Sequence, residues 1–100
     1  MENQHRSIKG YRELSQEEID LMNEIKAMGI NLASITAKVR DHINMQRSTV
    51  ADRIEGAEAQ ETEIARLNAA EPEKWANGGH DIGQTALMCL TRAVVQPTFY

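Results

Sequence analysis

The chain has 100 residues, a formal net charge of −4 and only 4% aromatic residues. Its length fits one small domain, residues 1–100, and its acidic balance excludes a general DNA or RNA binder, whose affinity comes mostly from neutralising phosphates. One Phe and one Trp are few for a self-contained core, so the composition predicts long helices that bury side chains between copies.

The charge is unevenly spread. Residues 1–12 hold Arg6, Lys9 and Arg12 against Glu2, whereas residues 13–24 hold Glu13, Glu17, Glu18, Asp20 and Glu24 with no base. A small anionic ligand can use the first segment without the whole protein being basic. Cys89 has no partner for an internal disulfide, which fits a reducing compartment. MENQHRSIKG carries no hydrophobic signal region, and no apolar run approaches the ~18 residues of a membrane span. A soluble intracellular protein with no membrane partner is expected.

In chain order, residues 1–14 read as an arm or short helix with an irregular end at Gly10. Ser15 and Glu18 form an S-x-x-E capping box that opens the first long helix. Ile19, Met22, Ile25, Gly29, Leu32, Ile35 or Thr36, Val39 and Ile43 recur every three or four residues, which predicts a helix to about Gln46, bent near Gly29. Helix then continues through Thr49 to Ala69, with weak points at Ser48-Thr49-Val50 and Gly56. Its apolar stripe (Ile54, Ala57, Ile64, Leu67) is thin, as in a solvated helix with one face on a partner. Glu71-Pro72-Glu73 marks a break, and Asn77-Gly78-Gly79 reads as a loop. Asp81 and Gln84 then cap a last helix, with Ile82, Thr85, Ala86, Cys89, Leu90, Ala93 and Val94 on one packed face, ending before Pro97. The expected fold class is all-α: a long antiparallel helical hairpin with a short N-terminal arm or helix, assembled as a homo-oligomer.

No constellation points to catalysis. His5, His42 and His80 lie far apart, and no Cys/His cluster has zinc spacing. Cys89, expected in the core, lacks the exposed electropositive setting of a nucleophile. Asn77-Gly78-Gly79-His80 lacks the Walker spacing and its Lys-Ser/Thr ending. A non-enzyme without metal or cofactor is expected.

Nucleotide binding is within reach of the residues. A base wants a flat ring to stack on, and a phosphate wants a cation or backbone N–H donors. Tyr11 offers the ring, Lys9, Arg12 and Lys26 offer cations, and Gly10 lets the backbone approach closely. Two plainer roles stand beside these. Tyr11 can pin the arm to the helix, and Lys26 can lay its stem along the surface with its charge in water.

Ile8-Lys9-Gly10-Tyr11-Arg12-Glu13-Leu14-Ser15, followed by Ile19-Asp20-Leu21-Met22-Asn23-Glu24-Ile25-Lys26, resembles the phage anti-CBASS cyclic-oligonucleotide sponge family, of the helical-hairpin type. Gln84-Thr85 and Leu90-Thr91-Arg92-Ala93-Val94-Val95-Gln96-Pro97 are similar to that family's closing helix. The resemblance implies a homohexamer in the cytoplasm of the infected bacterial host. It would hold cyclic dinucleotides such as 3′,3′-cGAMP between protomers without cleaving them, and cyclic trinucleotides in a second kind of pocket. By motif position Tyr11 would stack on the bases and Lys26 would meet the phosphates, with Lys9, Gly10 and Arg12 as neighbours. Arg66 is the candidate cation of the second pocket. The rival reading is a helical adaptor that docks its apolar stripe on a host protein.

Overall fold

The computed structural model describes residues 12–98. Four helices follow one another, α1 (Gln16–Ser48), α2 (Val50–Arg53), α3 (Ala57–Ala70) and α4 (Pro72–Val95), and there is no strand among the described residues. Lys9, Gly10 and Tyr11 lie outside the described residues, as does any arm or short helix in residues 1–11.

The predicted capping box opens α1. Ser15 Oγ accepts the Glu18 N–H at 3.2 Å, and Glu18 Oε1 accepts the Ser15 N–H at 2.8 Å. Two orphan donors of the first turn are thereby satisfied. At 33 residues, α1 is roughly 50 Å long, which accounts for most of the 67 Å length of the molecule. Both predicted weak points are real breaks. Thr49 ends α1, its hydroxyl donating to the Met45 carbonyl at 2.6 Å. Gly56, at φ 93°, separates α2 from α3.

α1 and α4 pack antiparallel, and the pairs that link them run in opposite directions along the chain. A methyl group added at Gly29 would touch Leu87, and one added at Gly83 would collide with Leu32 at 2.8 Å. Further along, Arg40 Nη2 donates to Asn77 Oδ1 at 2.7 Å, and Arg47 grips Glu73 through both carboxylate oxygens. The expected hairpin is therefore present, with α2 and α3 forming its tip. Among the described residues few are buried: Leu67 at 2% exposure, Ile43, Val50 and the hydroxyl-bonded Thr36.

Two details differ from the sequence reading. Asn77-Gly78-Gly79 is not a loop but lies inside α4, and Asp81 and Gln84 therefore cap nothing. Glycine costs a helix about 1 kcal/mol relative to alanine, but here α4 is propped along α1. Asn77 is held by Arg40, and Gly83 lets Leu32 press against the backbone. Second, Ile82, Thr85, Ala86, Cys89, Leu90 and Ala93, expected on the packed face, are exposed, because the face of α4 that meets α1 runs through Gly83 and Leu87 instead. Of the two alternatives the spacing offered, Thr36 is the one buried in α1, while Ile35 is 54% exposed.

Candidate ligand-binding site at the head of the hairpin

The head is where the start of α1 meets the end of α4, and Arg12 ties the two together. Its Nη1 donates to Glu18 Oε1 at 3.1 Å, and its Nη2 donates both to Glu18 Oε2 and to the Val94 carbonyl, the latter at 2.8 Å. Val94 lies in the last turn of α4, where carbonyls have no helical partner and positive charge is favoured. Glu18 thus accepts from the Arg12 guanidinium and from the Ser15 backbone at once. These bonds, Arg12 first, hold its carboxyl down at about 2, well below the usual 4.5.

This changes the meaning of Arg12. The sequence offers it as a cation beside a phosphate, but both of its Nη groups are engaged within the chain. Its Nε is buried without a hydrogen-bond partner among the described residues. Arg12 is a clamp between the start of α1 and the end of α4.

Lys26 is different. It is exposed on α1 and forms no ion pair with a described residue. It lies eight residues beyond Glu18, roughly 12 Å along the helix axis. Helical periodicity places it on one flank of α1 with Ile19 and Ile30, opposite the flank of Ile35 and Val39. A cation on an exposed flank of α1 is open to an anionic ligand.

Arg66 lies far from this head, on α3. Its Nε and Nη2 donate to Glu63 at 2.6 and 3.0 Å. Arg53 completes the cluster, donating to the same carboxylate and to the Gln46 carbonyl, both at 2.8 Å. Arg66 first and Arg53 second hold Glu63 at about 2. An open groove of about 740 Å³ runs past Arg66, Thr62 and Gly56, which is large enough for a small-molecule ligand. Its other charged lining is acidic, from Glu55, Glu58 and Glu63. Arg53 was not foreseen, because ten residues separate it from Glu63 across a helix break and no helical spacing pairs them.

No group of three or more His, Cys, Asp or Glu able to hold a metal ion occurs among the described residues. No described helix is long and apolar enough to cross a membrane.

No protein-family model matches the chain. Among curated proteins, anti-CBASS protein 2 of Pseudomonas phage JBD67 is 39% identical over a 105-residue alignment that covers 97% of each protein. Identity of that extent over nearly the whole chain shows that the chain belongs to the anti-CBASS protein 2 family.

Proposed function

We propose that this protein antagonises CBASS as a non-enzymatic sponge, sequestering cyclic dinucleotides such as 3′,3′-cGAMP in the host cytoplasm during phage infection. The observation that carries this reading is the end-to-end likeness to an anti-CBASS protein, joined to an exposed Lys26 on α1. Tyr11 stacks on the bases and Lys26 pairs with a phosphate, with Lys9 and Gly10 beside them. A homo-oligomer, a hexamer by family resemblance, brings the second surface. Cyclic trinucleotides are the ligands of a second pocket, for which Arg66 is the proposed cation.

The energetics are adequate. Submicromolar binding needs at least about 8 kcal/mol. Stacking contributes roughly 1–3 kcal/mol per base, and charge-assisted phosphate contacts are about twice as strong as neutral hydrogen bonds. Closure between protomers reduces the ordering cost that would otherwise consume this gain.

The test is calorimetric titration with a panel of cyclic dinucleotides, then heat denaturation and chromatography of the released ligand. Tight binding with intact ligand recovered is the expected result. Recovery of linear product would make the protein an enzyme. Tyr11→Ala and Lys26→Ala are each expected to weaken binding while leaving helicity and assembly unchanged, and unaltered affinity in both would remove the site assignment. The adaptor reading is favoured by a separate observation, the large exposed apolar area on the hairpin. It predicts no heat with any cyclic nucleotide.

A further inference from the structure

Asn77 is the one asparagine of the chain that precedes a glycine. An Asn-Gly pair is chemically labile in water. The backbone nitrogen of the glycine attacks the asparagine Cγ, a C–N bond closes a five-membered succinimide, and the carboxamide nitrogen leaves as ammonia. Water then opens the ring, leaving aspartate or isoaspartate. Glycine permits the attack because it has no side chain to hinder its nitrogen.

The fold blocks each requirement of that reaction. Asn77 and Gly78 lie inside α4. There the Gly78 N–H donates to the carbonyl four residues earlier, so its nitrogen points along the helix axis rather than at Cγ. The carboxamide is also held, since Asn77 Oδ1 accepts from Arg40 Nη2 at 2.7 Å.

The same stretch is the weakest part of α4. Asn and Gly are poor helix formers, and two glycines stand in succession. A methyl group at Gly78 or Gly79 would meet nothing within 4 Å, so neither position is packed against a neighbour. Beside them Trp75 is 68% exposed. Firmer anchors lie on either side: Glu73 is gripped by Arg47, and Gly83 is seated on Leu32. A segment with few contacts between two anchors opens by itself more often than the whole chain unfolds.

We propose that Asn77-Gly78 is a site of spontaneous deamidation gated by local opening of α4, with Arg40 as its guard. Aspartate at this position keeps an acceptor for Arg40. Isoaspartate adds a backbone atom between Glu73 and Gly83, and the two anchors then no longer share one helical register. The reaction is thus a one-way route by which the hairpin loses its seam, and it is independent of any ligand.

The test follows deamidation at Asn77 by peptide mapping and mass spectrometry, with the full chain held at neutral pH either folded or unfolded in guanidinium chloride. The folded chain should react more slowly than the unfolded one, but faster than its global unfolding constant allows. Its rate should be nearly flat in low guanidinium, because a local opening exposes little surface. Gly79→Ala, which has room for its methyl group, should slow the folded chain roughly fivefold by raising helix propensity. Arg40→Ala should accelerate it several-fold, with the unfolded rate unchanged in both variants. A folded rate equal to the unfolded one would show that α4 gives no protection, and a rate no greater than global unfolding supplies would show that there is no local opening. Slower reaction in Arg40→Ala would show that the guanidinium activates the carboxamide rather than guarding it. Each of these results would overturn the proposal.

Discussion

The two ends of the hairpin use the same device for different purposes. At each end one carboxylate holds two donors: Glu18 takes Arg12 and the Ser15 backbone, and Glu63 takes Arg66 and Arg53. The tip is local, built from residues at most 26 apart in the chain, such as Arg47 and Glu73. The head joins residues 82 apart, Arg12 and Val94. A local cluster forms as soon as its helices do. A head that joins residues so far apart exists only when α1 and α4 are in register, so it reports the packing of the whole hairpin.

The largest expected effect belongs to the tip. Leu67 is the most deeply buried side chain described, and Leu67→Ala should cost about 2–5 kcal/mol, read as a fall in melting temperature at fixed protein concentration. Its effect on cyclic-dinucleotide affinity should be small below that temperature, because the head has its own contacts. A comparable loss of affinity and stability would show that the ends are not separable.

The head should behave in the opposite way. Arg12→Gln and Glu18→Gln are each expected to weaken cyclic-dinucleotide binding roughly tenfold, with the double variant no worse than either single, as for residues in one hydrogen-bonded network. If Arg12 were itself a phosphate ligand, Glu18→Gln would release it and leave binding unchanged or tighter. Arg53→Gln at the tip should leave this affinity unaltered.

Titration sharpens the comparison further. Glu18 and Glu63 are both held at about 2 rather than 4.5. A carboxyl with a lowered value contributes stability that is fully present above its ordinary range and is lost as pH falls through the lowered value. Both ends should therefore weaken between about pH 4.5 and 2, with a smaller effect at high salt because these groups are partly solvated. Side-chain carboxyl NMR should show Glu18 rising in Arg12→Gln but stopping short of the ordinary value, since the Ser15 N–H remains. Glu63 should rise more in Arg66→Gln than in Arg53→Gln, because Arg66 is the larger cause of its shift. Equal displacement by both would break the assignment.

Local signals were legible in the sequence where the chemistry is local. The Ser15–Glu18 box, the breaks at Thr49 and Gly56, and the turn before Pro72 all follow from a few adjacent residues. The interruption expected at Asn77-Gly78-Gly79 does not occur, because Arg40, 37 residues away, supports Asn77, and a propensity rule does not see it. The apolar spacing of α4 was visible as one face, but the seam with α1 runs through Gly83 and Leu87, leaving Cys89 outside. At the site, Arg12 was legible as a cation but not as a clamp, since its Val94 partner lies at the far end of the chain.

The smallest effects concern the two turns that bound α3. Glu71, between α3 and α4, sits at φ 49°, ψ 52°, a left-handed conformation that costs a side-chain-bearing residue about 1 kcal/mol. Its ion pair with Lys74, at 3.7 Å and well exposed, returns little of that. Glu71→Gly should therefore stabilise by about 0.5 kcal/mol, after the added chain entropy of glycine is subtracted. Gly56, between α2 and α3, also has positive φ, 93°, and a methyl group there would meet nothing within 4 Å. Gly56→Ala should nonetheless destabilise by about 1 kcal/mol or more, through the backbone alone. Chemical denaturation of the two variants separates these signs. If Gly56→Ala is neutral, the α2–α3 turn can relax to negative φ without loss. The break would then come from the burial of Val50 and Leu67 on either side of it rather than from the glycine.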